Sequence, residues 1–523
     1  MSKKEQFIAA IQKSYHTDKP VIHLGSAILD GEIIGEARVN LPLRMMNRHG
    51  LVAGATGSGK TRTLQVFAEQ LSAAGVPVFM SDIKGDLSGI AQPGKTNAAL
   101  EERAQILGTV FEPRGFPVEL YSLSGNKGAQ MRATVLEFGP ILLSKIFELN
   151  ETQAGVLAIL FKYADDKDLP MVDLNDLKKV LNYLSEGPGA AEIKADYGTI
   201  SASTAGTILR KIVALEQQGV GSIFGERSFD IEDLINKVDG QGVISLLNVS
   251  DVQDRPALFS TFMLSLLAEL YQKLPEAGDL DKPKLVFFLD EAHLLFKDAP
   301  KAFLEQIEQV VRLIRSKGVG IFFCTQMAQD VPVSVLGQLG NRVQHVLRAF
   351  TPQDAEGLKQ TVKTYPKSDF YSIDQVLTTL GIGQALITVL NEKGIPTEVA
   401  ATHLMPPASV MGPMVQADYD RHVQQSDVYA KYRDPIDPES AYEILTKRME
   451  EQARKETEAK EAEVQAKVEA KKEKEQTSMI SDALNSPLAK QIGREVVRGV
   501  FGMLFGKKTS TRSRKSGGGL FGF

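Results

Sequence analysis

The sequence predicts an α/β fold: a mostly parallel sheet, a helical insertion and a charged helical C-terminal tail. Three observations carry this. Continuous apolar runs recur at "GVISLLNV" (242–249), "KLVFFLDEA" (284–292), "VGIFFCTQ" (319–326), "HVLRAF" (345–350) and "GQALITVL" (383–390), separated by helical patterns. Such runs mark strands buried on both faces, and alternation with helices marks parallel connections. The stretch "GLVAGATGSGKTRTLQVFAEQLSAAGVPVFMSDIKGD" reads strand, Gly-rich turn, helix, strand. The run "LVFFLDEAH" ends its apolar residues on two adjacent carboxylates.

In chain order, residues 1–20 read as a polar helix, and 21–43, with an internal Asp-Gly, as a small hairpin. Together they form an N-terminal segment, 1–45. The main domain is expected over 46–405, with 98–238 a mostly helical insertion broken by loops such as "SEGPGAA". Residues 406–449 read as a linker and helices. Residues 450–475 hold nine Glu and seven Lys or Arg with no apolar seam, so 450–476 reads as a solvated helix or a disordered segment. Residues 477–523 are basic, eight Lys or Arg against two acids. Within them "LAKQIGREVVRGVFGMLF" repeats apolar residues every four positions beside Lys490, Arg494 and Arg498. A basic amphipathic helix of this kind suits packing on its own protein, a membrane surface or phosphates.

Composition narrows the function. A chain of 523 residues that is 43% hydrophobic can bury one large core or two. The lone cysteine, Cys324, excludes an intramolecular disulfide, and no run reaches signal-peptide or membrane-span length. A cytoplasmic protein is expected. The net charge of −5 leaves no global footprint for nucleic acid, so any such contact must be local.

The segment "GATGSGKT", 54–61, satisfies the phosphate-loop pattern between a strand and a helix. Its glycines let backbone N–H groups turn toward phosphates, and the helix start adds a positive dipole end. The expected nucleotide contacts are Gly54, Ala55, Thr56, Gly57, Ser58, Gly59, Lys60, Thr61 and Arg62. Lys60 reaches the β- and γ-phosphates, and Thr61 offers its hydroxyl to Mg²⁺. Asp290 takes the second metal position, and Glu291 orients or deprotonates the attacking water. A carboxylate pair ending a buried strand is costly unless a metal or hydrogen bonds satisfy it. ATP and Mg²⁺ are the cofactors implied.

These motifs, with "LIRSKGVGIFFCTQ" and "LGQLGNRVQHVLRAFTPQD", resemble the HerA/FtsK superfamily of ring ATPases, and within it the bacterial HerA-like proteins of the YjgR type. The resemblance covers about 20–405 and implies a RecA-like core. It implies that Asp82 is an acid near the nucleotide and, with Thr61 and Asp290, a metal-binding residue, the alternative being a turn former in Asp-Ile-Lys-Gly. It makes Gln326 the polar residue that senses the γ-phosphate or positions water, the alternative being a loop cap. Arg48 becomes a basic residue reaching a nucleotide site, and Arg315 an arginine given to the neighbouring subunit. Arg312 and Arg342 compete for that role, and a surface salt bridge is the alternative for each. A trans arginine implies a closed ring, most plausibly a hexamer. The family's translocases carry an N-terminal barrel, for which the roughly 45 residues ahead of the ATPase domain's first strand are too few. Three functions follow: a motor on double-stranded DNA, a membrane-associated protein-remodelling or secretion-type ATPase, and an assembly scaffold. Glu291 argues against the last.

Overall fold

The computed structural model describes residues 2–485 except 253–254, 279 and 298–300. By compactness the chain divides into two units, 1–445 and 446–523. The strands of the first unit, in order, are β1 (Val21–Leu29), β2 (Glu32–Pro42), β3 (Gly50–Ala53), β4 (Val78–Asp82), β5 (Val118–Ser122), β6 (Ala129–Gln130) and β7 (Lys237–Val238). They continue with β8 (Gln241–Gly242), β9 (Ile244–Asn248), β10 (Leu285–Leu289), β11 (Val319–Thr325), β12 (Asn341–Gln344), β13 (Gln384–Thr388) and β14 (Ala400–Leu404).

Among the described residues twelve strands form one sheet, in the order β2-β1-β14-β13-β12-β3-β11-β10-β4-β9-β5-β6. From β12 to β6 every pairing is parallel. From β12 back to β2 every pairing is antiparallel. The expected mostly parallel sheet is therefore extended on one side by four antiparallel strands, β13, β14, β1 and β2. β7 and β8 make a separate ribbon.

Alternation explains why the central strands read as unbroken apolar runs. Val52, Met80, Val286, Phe288, Phe322 and Cys324 join a core with Leu64, Phe67 and Leu71 of the helix Lys60–Ala73. Their neighbours Leu51, Phe79, Phe287, Leu289, Ile321 and Phe323 are also buried. Successive side chains point to opposite faces, so both faces are covered.

Three expectations change. The hairpin β1–β2 is not a separate segment: β1 pairs with β14 and extends the main sheet. The helix Lys3–Tyr15, closed by a Ser2–Glu5 capping box, buries Phe7, Ile11 and Tyr15 in the same core. The stretch 98–238 is largely helical but contributes β5, which pairs with β9 in the main sheet. Its "VELYS" is too short and too polar at Glu119 to stand out as a buried strand from sequence. Finally, "HVLRAF" is not a strand; β12 ends at Gln344, and His345 passes under the phosphate loop.

The linker after β14 runs back across the core to helices Gln416–Gln424 and Asp427–Tyr432. The second unit is described as far as Asn485, within the helix Ala441–Asn485. Residues 450–472 are all exposed there, as a charged face without a seam requires. The amphipathic stretch from 488 onward lies outside the described residues.

Candidate nucleotide site

The site lies at the carboxyl ends of the parallel strands, where helix amino termini and strand-tip loops converge. The loop leaves β3 at Gly54, which has φ +151°. A Cβ there would stand 2.5 Å from the His345 Cβ, so only glycine fits. Gly54 N–H donates to the Thr325 and Gln326 carbonyls, both at 3.2 Å, and Ala55 N–H to Val346 at 2.9 Å. These bonds brace the loop on β11 and on the chain after β12. Gly59, with φ +107°, caps the helix Lys60–Ala73. The Lys60 ammonium donates to the carbonyls of Gly54 at 2.7 Å and Ala55 at 3.2 Å, curling over the loop it serves. Arg62 turns to Gln65 at 2.9 Å and to Asp86 at 3.5 Å.

His345 was missed as a supporting residue because its stretch reads as a strand. Fully buried, it meets the Thr63 hydroxyl at 2.9 Å. Burial first, then the Lys60 charge, pushes its pKa down to about 4, so it is neutral beneath a cationic loop. Gly383 N–H donates to the Ser58 carbonyl at 3.3 Å, and Arg103 holds Gly383 in place through its carbonyl at 2.6 Å. Nothing in the sequence links residues 103, 345 and 383 to the loop.

The acid pair follows β10, two strands from β3. Asp290 is 6% exposed; its N–H donates to the Ser81 hydroxyl at 2.9 Å, tying the tips of β10 and β4. Burial raises its pKa, against a hydrogen bond from the Cys324 thiol. Burial and the Asp290 charge in turn raise the Cys324 thiol, keeping it protonated. Glu291 has φ +47°, a left-handed conformation uncommon for a non-glycine residue. Its Oε1 stands 3.4 Å from Lys84 Nζ, and its Oε2 is buried without a hydrogen bond, 3.5 Å from His293 Nδ1.

Asp82 ends β4, but its carboxylate accepts from three amides of the following turn: Gly85 at 2.8 Å, Asp86 at 3.1 Å and Leu87 at 3.1 Å. This is the turn-forming alternative. Burial raises its pKa to about 6 despite those bonds. Gln326, exposed, follows the tip of β11, which lies between β3 and β10. Below it, Asp330 accepts from the Thr325 hydroxyl at 2.5 Å and from Met327 N–H at 2.9 Å, shaping the turn that carries the amide.

The arginines lie elsewhere. Arg48 ends a 3₁₀ turn ahead of β3, and Arg315 opens one ahead of β11. Both sit at the amino edge of the parallel strands, separated from their own phosphate loop by the strands' length, roughly 20 Å for the seven residues of β11. Arg315 and Arg312 are exposed. Arg342 donates to its own chain's carbonyls at Leu339, Leu336 and Thr364, at 3.2–3.4 Å, a structural role.

Among the described residues no three His, Cys, Asp or Glu side chains form a metal cluster. The arrangement suits a Mg²⁺ held by one carboxylate, one hydroxyl and substrate phosphates rather than by a protein cage.

A phosphate loop opening a helix after one parallel strand, with an acid pair at the tip of another, defines a P-loop ATPase, an enzyme that hydrolyses ATP. The chain belongs to the helicase HerA-like C-terminal family, whose model matches residues 29–510. It is 23% identical over 430 residues to the DNA double-strand break repair helicase HerA of Sulfolobus acidocaldarius, covering 77% of this chain and 75% of that protein. The protein of the same name from Sulfurisphaera tokodaii is 23% identical over 380 residues, 68% of this chain and 66% of the relative. Among solved structures, the plasmid coupling protein TrwB with an ATP analogue aligns at 13% identity and a TM-score of 0.49, covering 78% of this chain and 92% of that one. VirB4 of Thermoanaerobacter pseudethanolicus aligns at 14% identity and 0.46, covering 74% and 98%.

Proposed function

We propose that this ATPase is a ring-forming motor that moves along double-stranded DNA, with Mg²⁺-ATP bound at each subunit boundary. The observation that carries the ring is the separation within one chain. The phosphate loop and acid pair occupy the carboxyl edge of the sheet, and Arg48 and Arg315 the amino edge. Arg315, an exposed guanidinium that far from its own loop, suits a neighbour's nucleotide better than its own. The DNA part rests on the helicase relatives.

In this reading the loop amides and Lys60 hold the phosphates, while Thr61 and Asp290 hold the metal ion. The buried Asp290 carboxylate suits a cation that offsets its cost of burial. The bound ion supplies neutralisation of charge on the β- and γ-oxygens. Glu291 takes the proton of the attacking water, Gln326 orients that water or reads the γ-phosphate, and Arg315 of the next subunit offsets the equatorial charge, a contribution of ~10³–10⁵ in rate. Hexameric size and a cytoplasmic location belong to the same proposal; no helix among the described residues is long and apolar enough to cross a membrane.

The test is the ATPase rate of the sized oligomer with duplex DNA, DNA ends and single strands. Stimulation by duplex and salt-dependent duplex binding are expected. Equal rates with and without DNA, and no DNA binding at low salt, sink the DNA reading and leave the secretion-type alternative.

A further inference from the structure

We propose that Lys84 is a positioning residue for Glu291: it tethers one carboxylate oxygen so that the other faces the attacking water. The proposal rests on the reading of Glu291 as the residue that activates water. Three observations converge on it. Lys84 Nζ is 3.4 Å from Glu291 Oε1, while Oε2 is buried and accepts no hydrogen bond. One oxygen is held by the ammonium; the other, 3.5 Å from the His293 Nδ1, accepts no hydrogen bond and keeps its lone pairs open to a proton. Glu291 also sits in a left-handed backbone conformation at φ +47°, uncommon for a non-glycine residue, with its N–H donating to the Asp290 carboxylate at 2.9 Å. The tether itself is well anchored, because Lys84 lies in the turn whose amides are gathered by the buried Asp82 carboxylate.

Stability alone does not explain the pair. The Lys84 side chain is 51% exposed and that of Glu291 14%, and a pair open to solvent at its lysine end contributes modestly to folding. A side chain that contributes little to the fold yet stands beside the strained acid fits a role in the reaction. It gives Asp82 an indirect part as well: the turn former fixes the lysine that fixes the glutamate.

The experiment compares Lys84→Met, which keeps the stem, with Lys84→Arg, which keeps the charge, in the intact oligomer. Lys84→Met should lower kcat at least about tenfold with KM within about twofold, the mark of a misplaced catalytic group rather than lost binding. Lys84→Arg should retain most of the activity, and melting temperatures should match the parent. In a Glu291→Gln background, Lys84→Met should leave the ATP affinity measured by calorimetry unchanged. An unchanged kcat, or equal activity of the Met and Arg variants, overturns the proposal. So does weaker ATP binding on adding Lys84→Met to Glu291→Gln, which would make Lys84 a direct phosphate contact. If Glu291→Gln alone keeps full activity, the reading of Glu291 itself falls, a result distinguishable from the others.

Discussion

At the residue scale, the proposed mechanism divides two tasks between the acids of one strand tip. Asp290 is buried and tied to Ser81 and Cys324, so it is rigid and suited to a metal. Glu291, in a left-handed backbone conformation, keeps one buried oxygen that accepts no hydrogen bond. Replacing Glu291 by Gln removes the proposed proton acceptor but not its shape. ATP turnover should fall ~10²–10⁴-fold while ATP still binds, a split that equilibrium binding beside steady-state ATPase assays will read. Lys60→Ala removes a cation from the phosphates, and both binding and turnover should fall. A Gln326→Ala variant should lower kcat more than affinity if the amide reads the γ-phosphate.

At the scale of elements, buried polar joints hold the site's supports together. On the helix Lys60–Ala73, Gln65 and Glu69 share a face and grip the linker after β14. Gln65 donates to the Ser409 hydroxyl at 2.7 Å, and that hydroxyl donates to Glu69, which also accepts from Ala408 N–H at 2.7 Å. Ser409→Ala leaves these buried groups short of partners and should cost about 1–3 kcal/mol, measurable by urea unfolding. A second joint is His49. Its Nδ1 accepts from Ile321 N–H at 3.0 Å and its Nε2–H donates to the Val311 carbonyl at 2.8 Å, linking β11 and the helix Lys301–Ile314 to the start of β3. Burial lowers its pKa to about 4, from an ordinary 6.5. The unfolded chain therefore binds the proton first. The stability that depends on neutral His49 is complete above about pH 6.5 and lost as pH falls toward 4. By that shift it amounts to roughly 3 kcal/mol. The parent should lose stability from pH 7.5 to 5 more steeply than His49→Gln, by denaturant titration at each pH.

For the whole molecule, the proposed ring puts the two edges of the sheet to different uses. If the amino edge serves a neighbour, no single subunit has a complete site. Mixing Arg315→Ala subunits with Lys60→Ala subunits should restore part of the ATPase activity that each lacks alone. Measured rates no higher than the sum of the two separate oligomers would return Arg315 to a surface charge.

Much of the site was legible before folding. The phosphate loop and the acid pair are local: their chemistry needs neighbouring residues on one strand tip, and that adjacency is written in the chain. The parallel core was legible for the same reason, since strands buried on both faces must be apolar throughout. What tertiary structure decided was everything carried by distant residues. It brought Lys84 to Glu291, His345 and Gly383 beneath the loop, and β1, β2 and β5 into the main sheet. It also turned Asp82 toward its own turn and sent Arg48 and Arg315 to the opposite edge. Spacing reports which residues share a strand or a helix face; which strands become neighbours is set by burial of the whole core, and no short stretch contains that.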